Sequence, residues 1–258
     1  MKDTNMKDTD IKNTNVLGIP VSLLGKRQLL RIIEEAVRSG RQLTVVAVNA
    51  RKIVRAVRDP AVKRLLLRFD IFLADGQSVV KATARQTERI TGIDLAEAVC
   101  RLSAKTGAGI FFYGASEENN LLAQRKLKEK YPDMVIAGYC NGYDDKDATD
   151  LIKKSGADIV FVAKGTPLQE QWIMEQGKGS GADILMGIGG ALDVFGGKVK
   201  RAPKFVRDTG FEWLYRMLRE PKRLKQIPEL IQFLRMVRKE NKQAYHRIIG
   251  GSLCRGKK

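Results

Sequence analysis

The chain is poor in the residues from which metal centres and disulfide frameworks are built. Its 258 residues include one histidine, His246, and three cysteines, Cys100, Cys140 and Cys254. The cysteines are far apart and show neither a pairing pattern nor metal-ligand spacing, so a reducing cytosol is the default expectation. The histidine has no partner histidine, which disfavours a catalytic or metal-binding role for it.

Long apolar runs and nucleotide-binding signatures are absent from the sequence as well. The longest apolar runs are too short to span a bilayer. No Walker-type Gly-Lys-Ser/Thr sequence occurs, and Leu192 stands where the stretch beginning at Gly187 would need the third glycine of a dinucleotide fingerprint. An ATP or NAD site is therefore disfavoured, and we expect no bound cofactor.

The first fifteen residues repeat a polar pentapeptide, Met-Lys-Asp-Thr-Asn in its first copy. Because the repeat has no apolar core, it predicts a disordered tail over residues 1–15 and not a secretory signal. The chain as a whole is 43% hydrophobic, which is enough for a substantial folded core.

The formal net charge of +18 indicates an anionic partner. Nucleic acid, an acidic membrane surface and a phosphorylated substrate all remain open on composition alone. The charge is concentrated at the end of the chain, where residues 204–258 hold fifteen basic and five acidic residues and so +10 of the total.

From Val16 to Pro203, short β-rich apolar runs alternate with stretches of helical periodicity. This alternation predicts an α/β core over residues 16–203, with a Rossmann-like, mainly parallel sheet flanked by helices. The first strand is predicted at Val16–Val21. A second strand at Leu43–Val48 leads into Asn49, which can cap a helix at Ala50–Arg58.

The clearest strand-to-helix junction lies between Ile159 and Ile173. Gly165 supplies backbone freedom after the strand, and Pro167 suits the first turn of a helix whose free N–H groups would attract an anion. Similar junctions follow Leu73, Tyr113 and Met186, so several strand ends are expected to converge on one crevice. We take this crevice as the candidate active site.

Acidic residues at three sites in the sequence allow two interpretations each. Asp75 ends an apolar strand, where desolvation would suit a general base, or it caps the helix that follows. Asp193, beyond Gly189 and Gly190, could accept from ribose hydroxyls or a uracil N–H, or cap a helix. Asp145-Lys146-Asp147 has the form of a divalent-metal motif, but N-capping is favoured and we expect no metal.

No strand is predicted from Lys204 onward. Two helices are predicted there, at Phe211–Arg219 and Pro228–Arg247. The second combines an apolar face with basic neighbours, the composition of a helix lying on an anionic membrane. In the alternative interpretation, the apolar face of this helix packs on the core and its basic side faces solvent. The pattern alone slightly favours this alternative.

The chain resembles the WecG/TagA/CpsF glycosyltransferases from about Val16 to the region of Arg223. The resemblance rests on the following ordered motifs: Asn49-Ala50, Ala74-Asp75-Gly76, Gly92-Ile93-Asp94-Leu95, Gly165 to Trp172, Gly187 to Asp193, Gly197 to Pro203, Gly210 to Arg216, and Glu220 to Arg223. A TagA-like N-acetylmannosaminyltransferase is the form that this resemblance suggests.

The resemblance implies an inverting, metal-independent enzyme of bacterial wall teichoic acid or surface polysaccharide synthesis. Such an enzyme moves N-acetylmannosamine, or a related sugar, from a UDP-sugar to undecaprenyl-diphosphate-linked N-acetylglucosamine in a β-1,4 linkage. The resemblance also implies a cytoplasmic protein, peripheral on the inner face of the membrane, that can form homo-oligomers.

The resemblance also assigns roles to residues. Asp75 matches the general base, Gln169 a donor or acceptor contact beside the diphosphate, and Asp193 the uridine contact. Arg216 and Arg223 match arginines of an appendage, residues 204–258, that closes over the site. Substrate-binding positions are also expected at Asn49, Gly165, Gly189 and Gly190.

Two positions depart from the family pattern. Ala47 stands where the family usually has threonine, and Arg51 where it often has glutamate. The sugar contacts near the second strand are therefore expected to differ. The rival function is a basic nucleic-acid-binding module, which the charge suggests but which no aromatic stacking platform or reading motif supports.

Overall fold

The computed structural model describes residues 11–143, 148–203, 205–206, 214–215, 224 and 227–253, with the backbone alone for 243–253. The strands are β1 Asn13–Val16, β2 Ile19–Ser22, β3 Leu43–Val48, β4 Ile71–Ala74, β5 Gly109–Gly114, β6 Val135–Cys140, β7 Ile159–Ala163 and β8 Ile184–Gly187. The helices are α1 Lys26–Ser39, α2 Ala50–Arg58, α3 Pro60–Leu66, α4 Gln77–Ala82, α5 Gly92–Thr106, α6 Glu117–Lys130, α7 Ala148–Ser155, α8 Leu168–Glu175, α9 Ala191–Phe195 and α10 Ile227–Leu253, with a 3-10 turn at Gly177–Ser180.

A parallel sheet forms the centre of the part of the chain that the structure describes. It has six strands in the order β4-β3-β8-β7-β5-β6, and every neighbouring pair is parallel. The predicted α/β class and its mainly parallel sheet are confirmed. Because parallel strands present their carboxyl ends at one edge, the loops after β3, β4, β7 and β8 lie side by side.

Helices cover both faces of the sheet, which explains why its central strands are predominantly apolar. On one face, Val46 and Val48 of β3 share a buried cluster with Ile53 of α2 and Ile173 of α8. On the other face, Val45 belongs to a second cluster with residues of α1, α5 and α6. The two clusters hold the helices against the sheet on both faces, and the carboxyl edge of the strands lies between these helix layers.

The predicted first strand, Val16–Val21, is wrong. The segment is a hairpin in which β1 pairs antiparallel with β2, and Leu17 and Gly18 turn the chain with positive φ. Glycine adopts positive φ easily, so Gly18 is the turn residue. The apolar residues on both sides of Gly18 make the segment look like one continuous strand in the sequence. Residues 13–15 are therefore strand, so the expected disordered tail does not extend to residue 15; residues 1–10 lie outside the described part of the chain.

The last helix, α10, packs against α2 and the core. Phe233 is fully buried, and Leu230, Met236 and Val237 pack partly buried beside it. Glu229 pairs with Arg51 at 3.1 Å and Arg55 at 3.5 Å on α2. The core-packing interpretation is thus correct for this inner face, while the predicted helix Phe211–Arg219 lies mostly outside the described residues.

The outer face of α10 carries a different set of residues. Ile231 and Leu234 remain 44% and 41% exposed. Arg235, Arg238 and Lys242 are exposed beside them, and helical spacing places all five within one stripe about 100° wide. Among the described residues, no helix is both long and apolar enough to cross a membrane.

Candidate active site at the carboxyl edge of the sheet

A cavity of about 330 Å³ opens where β4, β3, β8 and β7 end. Its lining contains the predicted positions Asn49, Asp75, Gln169 and Asp193 together with Gly189 and Gly190. These residues are as far as 144 positions apart in sequence, from Asn49 to Asp193. The expected convergence of strand ends on one crevice is correct for the junctions after β4, β7 and β8. The junction after Tyr113 does not line the cavity, because β5 lies on the far side of β7 from β3 and β4.

Asn49 both caps a helix and lines the cavity. It follows β3 and caps α2, its Oδ1 accepting from the Lys52 N–H at 3.0 Å. Since the carbonyl oxygen is used in the cap, the amide nitrogen Nδ2 is the atom left to donate to a ligand. The predicted cap is confirmed, and it sets the orientation of the amide in the cavity.

Asp75 follows β4, directly beside Asn49 in the sheet. Its N–H donates to the Val48 carbonyl at 2.9 Å, which extends the pairing of β4 with β3 past the last strand residue. In the alternative role, Asp75 would cap the next helix, but the N-cap position of α4 is taken by Gly76, one residue after Asp75. Gly76 has φ 125°, a value that only glycine adopts easily, and this sharp turn leaves the Asp75 carboxyl lining the cavity.

Gln169 lies in the first turn of α8 and is almost completely buried. Its Oε1 accepts from the Gly189 N–H at 3.0 Å, and its Nε2 donates to Glu170 Oε1 at 2.9 Å. A side chain on Gly187 would approach Gln169 Nε2 within 2.6 Å, so glycine is needed there for this amide to fit. The amide is thus fixed, with one N–H of Nε2 still available to a ligand.

A buried ion pair supports this wall of the cavity. Lys52 Nζ lies 2.7 Å from Glu170 Oε1, and the two side chains are 6% and 2% exposed. Lys52 also donates to the Ala47 carbonyl at 2.7 Å, and Thr166 Oγ1 donates to Glu170 at 3.2 Å. Sequence reasoning does not predict this pair, because its members are 118 residues apart and the motif from Gly165 to Trp172, which contains Glu170, does not indicate a lysine partner.

Asp193 lies in the first turn of α9, which starts after Gly190 without a side-chain cap. Capping of α9 by Asp193 is therefore not observed. Its Oδ1 accepts from Asn119 Nδ2 at 2.8 Å, and its carbonyl accepts from the Val199 N–H at 3.0 Å. The second carboxylate oxygen of Asp193 faces Gly190, where a bulkier residue would approach it. Asn119 was not among the predicted site residues.

The strap formed by residues 197–203 closes one side of the cavity. Val199 lines the cavity, and Arg201 is anchored to Asp94 at 2.6 Å, with Thr91 Oγ1 donating to the same carboxylate at 2.6 Å. Burial alone would raise the pKa of Asp94, but the Thr91 hydrogen bond and the charge of Arg201 outweigh it and hold the pKa below its usual value. The ion pair between Asp94 and Arg201 thus joins the Gly92–Leu95 motif to the strap.

Other predicted positions are not placed in this cavity. Gly165 lies in the turn after β7 with φ 73°, but the cavity is lined by its neighbour Thr166 instead. Arg216 and Arg223 lie outside the described residues, as do Asp145 and Asp147. Within residues that the structure describes, no group of three or more His, Cys, Asp or Glu side chains is arranged to hold a metal ion.

The polar lining has a consistent chemical character. Amide N–H groups of Asn49 and Gln169 and the Lys52 ammonium act as donors, and the N-termini of α2 and α8 add their partial positive charge. Two carboxylates, Asp75 and Asp193, act as acceptors on separate walls. Such a cavity suits an oxygen-rich, anionic ligand with hydroxyl groups at its ends.

Comparison with models of protein families agrees with this chemistry. The model described as the Glycosyl transferase WecG/TagA/CpsF family matches residues 14–247 of the 258 in the chain. The match runs from the β1–β2 hairpin to α10 and includes every element that lines the cavity.

Proposed function

Because this chain belongs to the WecG/TagA/CpsF glycosyltransferase family, whose members act in cell-surface polysaccharide or teichoic acid synthesis, we propose a specific transfer for it. The donor is UDP-N-acetylmannosamine or a related UDP-sugar. The acceptor is N-acetylglucosamine carried on undecaprenyl diphosphate, and the product linkage is β-1,4.

One observation carries the proposal: a carboxyl group, Asp75, lies in a cavity whose other walls are rich in hydrogen-bond donors. In an inverting transfer, Asp75 takes the proton of the acceptor hydroxyl while that oxygen forms a bond to the anomeric carbon. The bond from that carbon to the diphosphate breaks in the same step, and UDP leaves with the electron pair. One base on one face of the sugar is all that inversion requires.

The departing diphosphate needs positive charge and donors, which the cavity wall can supply. Gln169 presents an N–H beside the Gly189 backbone, and α8 points its N-terminus in the same direction. Asp193, whose orientation Asn119 fixes, suits the hydroxyl or N–H groups of the uridine. We propose that these groups allow transfer without a metal.

Asp75→Asn tests the role of the base at constant size. We expect the variant to fold and to bind UDP as the wild type does, with turnover reduced about a hundredfold or more. UDP release measured with a synthetic lipid-diphosphate acceptor gives the turnover. Asp133→Asn, an exposed aspartate outside the cavity, is the matched control, and near-normal turnover of Asp75→Asn would rule out the base.

We further propose that the appendage, residues 204–258, works at the inner face of the cytoplasmic membrane and closes over the cavity, with Arg216 and Arg223 reaching the diphosphate. The exposed stripe of α10 supports the membrane contact. Since Phe233 is part of the core, deleting the whole appendage would also weaken the core. Arg216→Ala is the sharper test, and it should lower turnover while leaving the melting temperature unchanged.

A further inference from the structure

The Lys52 ammonium is held at the cavity with one of its N–H groups unused. Two of its three donors are satisfied, by Glu170 Oε1 and by the Ala47 carbonyl. No third acceptor for it exists among the described residues, although the side chain is buried and lines the cavity. A buried ammonium that keeps a free donor at a cavity wall is expensive unless a ligand completes it.

Glu170 gathers the polar groups of this wall onto one oxygen. Its Oε1 accepts from Lys52, Gln169 and Thr166, all three of which line the cavity. Its Oε2 is buried and has no partner in the described part of the chain. An arrangement built for stability would share the donors between the two oxygens. This one instead fixes three cavity-facing side chains relative to one another.

A buried ion pair is by itself weak grounds for stability, because removing two charges from water costs about as much as their attraction returns. Glu170 and Lys52 also join two helices, α8 and α2, that already share an apolar cluster. Apolar packing is enough to hold these helices together, so we look for a role of the ion pair in ligand binding.

The neighbouring sequence points to the same place. Residue 47 is alanine, and its side chain brings no polar atom to the cavity it lines. The polar group beside residue 47 is the Lys52 ammonium, 2.7 Å from the Ala47 carbonyl. At this wall, then, the chain offers a charged donor, and charged donors bind anionic oxygens better than neutral ones.

We propose that Lys52 is a substrate-binding residue, which donates its third N–H to an oxygen of the sugar nucleotide, and that Glu170 is the residue that positions it. This rests on the proposed transfer from a UDP-sugar. The oxygen belongs either to the diphosphate or to the sugar, and the ligands used in the test separate these two sources.

The decisive comparison is between Glu170→Gln and the double variant Lys52→Met with Glu170→Gln. Lys52→Met alone would leave the Glu170 carboxylate buried without its cation and could unfold the protein. The double variant removes both charges at similar side-chain volume. Glu170→Gln leaves the Lys52 ammonium with the Ala47 carbonyl and the glutamine amide oxygen as acceptors, and its melting temperature shows whether the protein tolerates this unpaired charge. Lys128→Met, which removes an exposed lysine that also bonds a backbone carbonyl, is the control.

Calorimetric titration with UDP and with a UDP-N-acetylhexosamine gives the readout, and melting temperatures report folding. We expect Glu170→Gln to bind more weakly than wild type, and the double variant to lose about a further tenfold or more, the usual effect of one charge-assisted hydrogen bond. Equal losses for both ligands would assign the contact to the diphosphate. A loss confined to the UDP-sugar would assign it to the sugar, and either result supports Lys52.

The inference is overturned if the double variant binds both ligands as tightly as Glu170→Gln, since the ammonium then contributes nothing. In that case the wild type still binds the UDP-sugar and only the role of Lys52 is lost. If the wild type binds neither ligand, the proposed function itself fails, and the role of Lys52 fails with it.

Discussion

Removing positive charge from the outer stripe of α10 should release the protein from anionic membranes. The perturbation is the triple variant Arg235→Gln, Arg238→Gln and Lys242→Gln. All three side chains are exposed and lie beside the exposed Ile231 and Leu234. None of the three contributes to the buried face that holds α10 on the core, so the fold should be kept.

The size of the effect follows from the number of charges. Each basic residue near an anionic bilayer contributes about 1 kcal/mol, so losing three costs about 3 kcal/mol. At about 1.4 kcal/mol per tenfold change, partitioning should fall about a hundredfold. Sedimentation with vesicles that contain phosphatidylserine measures the partition coefficient, and low salt keeps the interaction strong enough to quantify.

The control removes the same charge from another part of the surface. Lys105, Lys153 and Lys154 are exposed on α5 and α7, and their replacement by glutamine gives an equal change in net charge. This variant should keep most of its vesicle binding. If the two triple variants lose binding equally, net charge and not the α10 stripe governs attachment. If the wild-type protein prefers duplex DNA to the vesicles at matched salt, the membrane interpretation is wrong.

Further predictions concern stability, protonation and metals. Phe233→Ala should cost about 3–5 kcal/mol in chemical unfolding, since the ring is fully buried; an unchanged midpoint would mean that α10 is not part of the core. Arg201→Gln should lower stability at neutral pH. The deficit should shrink as pH falls below 3.8, the ordinary pKa of Asp94, because the depressed pKa of that group stabilises the fold only while it is ionised. Cys100 should resist alkylation at pH 8 until the protein unfolds, because burial raises its pKa to about 12; peptide mapping by mass spectrometry checks this. Transfer should survive EDTA, and inhibition reversed by magnesium or manganese would contradict it.

Local sequence patterns were sufficient to predict the parallel sheet and the position of its active edge. β4 and β7 are continuous apolar runs and β3 is apolar except for Thr44. Each strand is followed within a few positions by a turn residue or a cap, so the signal is local. Asn49 and Asp75 directly follow β3 and β4, and Gln169 lies in the first turn of the helix after β7. Parallel pairing places all three at the same edge of the sheet, and the strand order, which local patterns do not reveal, brings them to one cavity.

The parts that could not be predicted depend on distant contacts. Glu170 belongs to the motif from Gly165 to Trp172, but nothing in the sequence indicates that it pairs with Lys52; only the approach of α8 to α2 brings the two together. The split of α10 into a packed and an exposed face depends on where α2 lies, because both faces contain apolar residues. The β1–β2 turn could not be predicted for a local reason: Gly18 is its one turn residue, and Leu17 beside it also adopts positive φ, which an apolar side chain does not indicate.

The strand order has a consequence for how the protein is made. β8 is the last of the described strands along the chain, yet it lies between β3 and β7 and joins β4-β3 to β7-β5-β6. During synthesis, the two parts can form early, but they stay separate until residues 184–187 emerge and insert between them. The cavity is lined by groups that follow β3 and β4 on one side and β7 on the other, with the Gly187–Gly190 loop after β8 between them. Nascent chains released before β8 therefore cannot bind the ligand, and ligand binding reports the completed sheet.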